Sequence, residues 1–158
     1  MQQLYIEHLQ RYKSGANWFY WIAGLSLVTS IITFGGGNWR FLISLGTTQV
    51  IDSIALVLSE EVGSASKIVA LVLDVFLTAM FVVFGVLANK KYLWAYIAGM
   101  AAFVIDGVVS LMIQDLIGVI AHVVVLVFMV PGFLAGRKLA ELEREMAAQA
   151  AAPAATAV

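Results

Sequence analysis

Long runs of apolar residues, separated by short polar breaks, make up most of this 158-residue chain. A helix needs about 20 mostly apolar residues to cross the hydrocarbon core of a lipid bilayer. Four runs reach that length and predict membrane-spanning helices over residues 17–37, 68–88, 92–113 and 116–135. The pattern therefore predicts an all-α membrane protein whose main domain is a four-helix transmembrane bundle over residues 17–136.

The segment over residues 39–61 is less apolar than the four runs. Its polar side chains recur at helical spacing, whereas its apolar side chains fall on another face; the polar positions are Ser44, Thr48, Asp52 and Ser59. This pattern is typical of an amphipathic helix that lies at the membrane interface or re-enters the bundle between the first and second spans. A fifth spanning helix, with its polar stripe facing its neighbours, is the alternative.

Composition supports a membrane location and excludes several classes of protein. The chain is 62% hydrophobic and 12% charged, whereas a soluble domain is about half apolar and about a quarter charged. The absence of cysteine excludes disulfides, cysteine-ligated zinc sites and a catalytic thiol. A formal net charge of −1 provides no basic surface for nucleic acid. The lipid bilayer is therefore the expected partner.

The distribution of Lys and Arg predicts the orientation, because these residues favour the cytoplasmic side in short loops. With four spans, the basic groups within residues 11–13, 90–91 and 137–144 fall on one side of the membrane. A fifth span would separate residues 90–91 from residues 11–13. We therefore expect four spans with both termini cytoplasmic, in a membrane of the bacterial cytoplasmic type.

Three further segments flank the bundle. Apolar and aromatic residues at helical spacing within residues 1–16 predict an interfacial N-terminal helix, with a cleaved signal peptide as the alternative. Residues 137–150 are charged and predict a cytoplasmic extension of the last helix, followed by a disordered tail over residues 151–158. Gly132 and Gly136, four residues apart, indicate close helix packing within the bundle or in a homo-oligomer.

Ionisable residues are rare inside the predicted spans. Each costs about 2.5–3.5 kcal/mol at the centre of a membrane helix on insertion scales, so each is a candidate functional residue. The candidates are Asp52, Asp74, Asp106, Asp115 and His122. Residues equidistant from a tight turn lie at the same depth in antiparallel helices. Residue 114 is the midpoint of Asp106 and His122, and residue 90 is the midpoint of Asp74 and Asp106. The spacing therefore predicts one layer of Asp74, Asp106 and His122, with Asp52 and Asp115 near it.

Two interpretations of this layer remain open. Carboxylates held together out of water cannot all stay ionised without compensation, so the layer could bind a cation or protons. Alternatively, its members form interhelical hydrogen bonds that only hold the bundle together. If a divalent metal binds, aspartate oxygens with one imidazole nitrogen favour zinc, manganese or iron over copper(I). All five residues are then candidate metal ligands.

Three classes of function are compatible with these features. The first is a small transport or ion-binding protein whose Asp/Asp/His layer opens to the non-cytoplasmic side and binds or conducts a cation or protons. The second is an intramembrane metal- or Asp-dependent enzyme that acts on a lipid or a membrane peptide. Lipoprotein signal peptidase is similar in size and four-span layout, but its N-x-x-D-R and N-x-A-D signatures are absent here. The third is a non-catalytic subunit of a larger membrane complex.

Overall fold

The computed structural model describes residues 2–35, 45–63 and 65–155, which form five helices. The helices are α1 (Gln2–Phe34), α2 (Gly46–Val62), α3 (Ala65–Asn89), α4 (Leu93–Met112) and α5 (Leu116–Ala155). All of them except α2 are long and apolar enough to cross a membrane. The predicted all-helical bundle with four membrane-compatible helices is therefore confirmed.

Both terminal helices are longer than the sequence pattern predicts. Residues 2–16 are continuous with the first predicted span, because α1 begins at Gln2, and the ring of Tyr12 is buried in the core. At the other end, α5 includes the predicted extension over residues 137–150 and continues to Ala155. Residues 151–155 of the predicted disordered tail are thus helical, since alanine has the highest helix propensity. Residues 156–158 lie outside the described part of the chain.

Aromatic rings fill the bundle between α1, α3 and α4. The ring of Phe19 lies 6.5 Å from that of Phe81 and 5.5 Å from that of Tyr96, measured between ring centroids. Phe81 in turn contacts Phe103 at 6.3 Å, with the two rings nearly perpendicular. Edge-to-face pairs of this kind add to the stabilisation that comes from burying the rings. All four rings are buried, so this aromatic layer fills the core between α1, α3 and α4.

Two glycines allow α1 and α5 to approach each other closely. A Cβ atom on Gly15 would lie 2.9 Å from the Cα of Gly132, and one on Gly132 would lie 2.8 Å from the Cα of Gly15. Beside this crossing, the hydroxyl of Tyr96 donates a hydrogen bond to the carbonyl of Met129 at 2.8 Å. The small-residue face of α5 that includes Gly132 therefore packs against α1 of the same chain.

The short helix α2 begins inside the bundle and ends next to the start of α3. The backbone N–H of Leu45 donates to the Ser26 hydroxyl of α1 at 2.8 Å. Ser26 precedes the end of α1 at Phe34 by eight residues, or about 12 Å along the helix. At its other end, α2 turns into α3 at Gly63, whose φ of 77° favours glycine. The predicted amphipathic segment starts at residue 39, and its residues before Leu45 lie outside the described residues.

The faces of α2 are oriented opposite to those of a helix in water. Thr48 is buried at 1% exposure and Asp52 is half-buried, so the polar stripe faces the other helices. Ile54 and Val57, by contrast, are 56% and 70% exposed. An apolar outer face and a polar inner face fit a surrounding hydrocarbon phase better than water.

Lys91 joins three segments at the opposite end of the bundle from Gly63. Its Nζ atom donates to the Tyr5 hydroxyl at 2.6 Å and to Glu143 Oε1 at 2.8 Å, and the Tyr5 hydroxyl donates to the same Glu143 oxygen at 2.9 Å. The hydrogen bonds to Glu143 and Tyr5 raise the pKa of Lys91, and Lys91 and Tyr5 lower the pKa of Glu143. The N-terminal part of α1 and the charged extension of α5 therefore lie at the same end as residues 90–91.

We expect Gly132→Ala to destabilise the bundle by about 1–3 kcal/mol, because the added methyl group overlaps the backbone of α1. Gly24→Ala is the matched control: no atom lies within 4 Å of a Cβ built there, and alanine is favoured over glycine in helices by about 1 kcal/mol. Thermal unfolding in detergent, followed by circular dichroism, measures both effects. Equal unfolding midpoints for the two variants would contradict the close α1–α5 contact.

We expect the Lys91–Glu143 contact to stabilise the protein between about pH 5 and pH 10. The lowered pKa of Glu143 means that this contribution is lost as the pH falls, and the raised pKa of Lys91 means that it is lost as the pH rises. Both side chains are almost half exposed, so Glu143→Gln should cost at most about 1 kcal/mol at neutral pH. The difference between the unfolding midpoints of the two proteins should shrink at about pH 3. A difference independent of pH would argue against the ion pair.

Candidate functional site

The carboxylate of Asp106 on α4 binds the first N–H groups of α2. Asp106 Oδ2 accepts from the Gly46 N–H at 2.7 Å, and Oδ1 accepts from the Thr47 N–H at 2.8 Å and also from the Thr47 hydroxyl. The N-terminus of a helix has unpaired N–H groups and a partial positive charge. The N-cap residue Leu45 has no polar side chain to pair with them. A carboxylate from another helix therefore caps α2 inside the bundle.

Gly46 is required at the contact between α2 and α4. A Cβ atom at this position would overlap the hydroxyl oxygen of Ser110 and would lie 3.1 Å from the backbone oxygen of Asp106. The hydroxyl of Thr48 donates to the carbonyl of Leu45 at 2.7 Å and strengthens the same turn. The first turn of α2 thus rests directly on the backbone of α4.

His122 on α5 completes the hydrogen bonding of Asp106. Its Nε2 lies 2.9 Å from Asp106 Oδ2, and its Nδ1 lies 2.7 Å from the Gly118 carbonyl oxygen. A carbonyl can only accept, so Nδ1 carries a hydrogen, and one further hydrogen lies between Nε2 and Oδ2. The Asp106–His122 pair is therefore neutral as a unit, whichever atom holds that hydrogen. Neutrality lowers the cost of burying two ionisable groups.

Asp115 caps a helix rather than joining this pair. Its Oδ1 accepts from the backbone N–H of Gly118 at 3.0 Å, three residues further along the chain. This is the usual geometry of an aspartate at the N-cap position, here at the start of α5. Its other oxygen, Oδ2, lies 3.4 Å from Nε2 of Gln49. The contacts of Asp115 thus stabilise the start of α5 and connect it to α2.

Asp74 and Asp52 form a second cluster, which lies toward the end of the bundle where α2 turns into α3. The carboxyl group of Asp74 is fully buried and lies beside the carboxyl group of Asp52 and the hydroxyl of Ser30 on α1. Asp52 and Asp74 are equidistant from Gly63, so the antiparallel α2–α3 pair places them at the same level. Lys67 and Asp52 line one small cavity of about 10 Å³. Lys67 therefore lies near Asp52.

Hydrogen bonding is incomplete in this second cluster. Across residues 2–35, 45–63 and 65–155, neither oxygen of the Asp74 carboxyl group has a partner with standard hydrogen-bond geometry. The same is true of the hydroxyl oxygens of Ser30 and Thr78, which are 1% and 5% exposed. Buried polar groups are paired in the great majority of cases, and the Ser30 hydroxyl and the Asp52 carboxyl group are the neighbours that can hydrogen-bond to Asp74.

The five candidate ligands are thus divided among different surroundings. Asp106 and His122 are in contact, as their spacing predicts, whereas Asp74 lies with Asp52 and Asp115 caps α5. No group of three or more His, Asp or Glu side chains in the described part of the chain could hold a metal ion. The Asp106 side chain is directed at the start of α2 and at α5, and metal binding by the five residues stays a prediction.

Several residues that build these clusters escaped the sequence analysis, namely Ser26, Ser30, Gly46, Thr47 and Thr78. The Gly-Thr-Thr sequence from residue 46 precedes an apolar periodic run, which is a recognisable helix-start pattern. Ser26 and Ser30 are four residues apart, as are Asp74 and Thr78, so each pair shares a helix face. Hydroxyl residues at helical spacing were therefore the sequence feature from which these residues could have been predicted.

Comparison with protein families, curated proteins and solved structures gives no match to this chain.

We expect Asp106→Ala to release the start of α2, because it leaves the Gly46 and Thr47 N–H groups and His122 unpaired. Removing one partner of a buried pair typically costs about 3–5 kcal/mol. The chain has no cysteine. With the single substitution Thr48→Cys at this buried position, the rate of maleimide labelling therefore measures the exposure of α2. Labelling should be slow in the otherwise unchanged protein and fast with Asp106→Ala.

Ser110→Ala is the matched control for this experiment. Ser110 also lies against Gly46, but its hydroxyl has no hydrogen-bond partner among the residues that the structure describes. Its removal should leave the labelling of the cysteine at position 48 slow. Equal labelling rates with Asp106→Ala and Ser110→Ala would show that Asp106 does not anchor α2.

Proposed function

We propose that this chain is an integral membrane protein of the transport class that binds a proton or a small cation at the Asp52–Asp74 pair. The fully buried carboxyl group of Asp74, which lies beside the carboxyl group of Asp52, is the observation that carries the proposal. A carboxyl group without compensation is costly inside a membrane, and such residues commonly mark ion or proton pathways.

The outer surface of the bundle supports a membrane location. Large apolar side chains are widely exposed on the four long helices; examples are Trp21 at 63%, Phe76 at 68%, Ile105 at 66% and Phe128 at 55%. A soluble monomer rarely exposes contiguous apolar patches larger than a few hundred Å². In a bilayer, these same side chains contact lipid tails and need no other cover.

We propose that α2 is a re-entrant helix. With 17 residues it is shorter than the four long helices. Its start is buried beside Ser26 and Asp106, and its end lies next to the start of α3. Irregular backbone and helix ends are tolerated at membrane depth only where protein or a polar cavity surrounds them. The Asp106 carboxylate and the Ser26 hydroxyl satisfy that condition.

The contact of Lys91 with Tyr5 and Glu143 supports an orientation with both termini in the cytoplasm. It brings the N-terminal part of α1, residues 90–91 and the charged extension of α5 to one end of the bundle. Most of the Lys and Arg residues belong to these three segments. Under the positive-inside rule this end is cytoplasmic. The Asp52–Asp74 pair then lies nearer the opposite face, toward the non-cytoplasmic side.

The two clusters differ in their capacity to take up a charge. Each oxygen of Asp106 already takes part in two hydrogen bonds, so this carboxyl group acts as a structural anchor. Around Asp74, the carboxyl groups of Asp74 and Asp52 lie side by side, and two neighbouring carboxylates repel each other. A proton or small cation bound there relieves this repulsion. Binding one positive charge from one side of the membrane is the first step of ion transport.

We expect Asp74→Asn and Asp52→Asn each to reduce ion flux by about tenfold or more, because a neutral amide no longer attracts a positive charge. The purified protein is reconstituted in liposomes, and proton and sodium fluxes are measured under an imposed membrane potential. Asp115→Asn is the matched control, because it neutralises a carboxyl group that caps α5 outside the pair. Its flux should remain close to that of the unchanged protein.

Two outcomes would contradict the proposal. The first is the absence of any proton or sodium flux in the unchanged, folded protein, which would favour the enzyme or subunit class. The second is full flux in Asp74→Asn, which would show that the buried carboxyl group is not on the ion pathway. Circular dichroism of each variant establishes that the helices are intact.

A further inference from the structure

We infer that Asp106 and His122 are positioning residues of the ion site: through the start of α2, they hold Asp52 beside Asp74. This inference rests on the proposed function and adds to the site two residues that lie outside the Asp52–Asp74 pair. The link between the two clusters is α2, whose first N–H groups bind Asp106 and which carries Asp52 to the side of Asp74.

Asp52 lies between two points at which α2 is held. It follows Thr47, which binds Asp106, by five residues, or about 8 Å along the helix axis. It precedes Ala55 by three residues, and the Ala55 carbonyl accepts a hydrogen bond from the Ser66 hydroxyl of α3 at 3.0 Å. The position of the Asp52 carboxyl group therefore depends on both contacts.

The contact with Ser66 leaves one motion of α2 weakly restrained. The Ser66 hydroxyl binds a backbone carbonyl, which lies closer to the helix axis than side-chain tips do, so it resists rotation about that axis poorly. Because side-chain tips lie about 5–6 Å from the axis, a rotation of α2 by about 30° would move the Asp52 carboxyl group by about 3 Å. A displacement of this size is larger than a hydrogen bond tolerates.

The Asp106 carboxyl group restrains this rotation. It accepts from the N–H groups of two successive residues, Gly46 at 2.7 Å and Thr47 at 2.8 Å, and also from the Thr47 hydroxyl. Paired bonds to one planar carboxyl group fix an orientation as well as a distance. Asp106 therefore sets both where α2 begins and the direction in which the Asp52 side chain leaves the helix.

His122 holds the Asp106 carboxyl group in this orientation. Its Nε2 lies 2.9 Å from Asp106 Oδ2, and its Nδ1 lies 2.7 Å from the Gly118 carbonyl oxygen. The imidazole ring also stacks on the ring of Phe103, with the two centroids 4.4 Å apart. Packing and hydrogen bonds behind a functional group are what keep it in a productive geometry. His122 thus acts on the ion site through Asp106.

The first test measures the position of α2 without reference to transport. The chain has no cysteine, so Ile54→Cys and Val72→Cys place one nitroxide spin label on α2 and one on α3. Both side chains are more than half exposed, and both residues are nine positions from Gly63. Electron paramagnetic resonance then gives the distance between the labels in the full chain in detergent.

Asp106→Asn keeps the size of the side chain but removes acceptor capacity, so it should broaden the distance distribution and shift its mean by about 3 Å. His122→Phe keeps the stacked ring and removes the bond to Oδ2, so it should give a smaller change of the same kind. Ser110→Ala is the matched control, because Ser110 lies against Gly46 without binding Asp106. Its distances should equal those of the unchanged protein.

The second test determines whether Asp106 acts through Asp52. In liposomes, Asp106→Asn and Asp52→Asn should each lower the flux of protons or sodium per folded protein by about tenfold. A residue that only positions Asp52 has nothing left to position in Asp52→Asn. The double variant should therefore keep about one tenth of the flux, whereas independent effects would leave about one hundredth.

The inference is overturned if Asp106→Asn and Ser110→Ala give the same spin-label distances. It is also overturned if the double variant loses about a hundredfold in flux, since Asp106 would then act independently of Asp52. The absence of flux in the unchanged protein would contradict the proposed function instead, and the spin-label distances would still show whether Asp106 sets the position of α2.

Discussion

The contact on which the interior of this bundle depends is the cap that Asp106 places on α2. A helix that starts inside a membrane protein has N–H groups that water cannot reach, and each unpaired group costs several kcal/mol in hydrocarbon. Asp106 pairs with the N–H groups of Gly46 and Thr47, and Ser26 accepts from that of Leu45. His122 then holds the carboxylate from the other side. Without these contacts, α2 would have no stable position between α1 and α4.

The two acidic clusters show how similar residues acquire different roles. Asp106 and Asp74 are both buried aspartates on membrane-compatible helices. Asp106 has a histidine and a helix N-terminus as neighbours, so its hydrogen bonding is complete. Asp74 has the Asp52 carboxyl group and the Ser30 hydroxyl beside it, and its oxygens have no partner with standard hydrogen-bond geometry in the described structure. The surroundings, and not the residue type, separate an anchor from a candidate ion site.

The placement of α2 also divides the bundle into two differently packed regions. The aromatic rings of Phe19, Phe81, Phe103 and Tyr96 and the glycines at the α1–α5 crossing fill one region densely. The polar inner face of α2 meets the hydroxyl and carboxyl groups of the other region. The carboxyl groups of Asp52 and Asp74 lie together in this polar region.

The sequence by itself determined the helical class, the four long apolar helices and the pairing of Asp106 with His122. Those features follow from the length of apolar runs and from the equal distances to a tight turn, both of which are local properties of the chain. The tertiary structure decided that Asp74 joins Asp52 and that Asp106 caps α2. The direction of a side chain around its helix axis depends on how several helices pack together. The contact of Ser30 with Asp74 became visible for the same reason, since it depends on how α1 packs against α3.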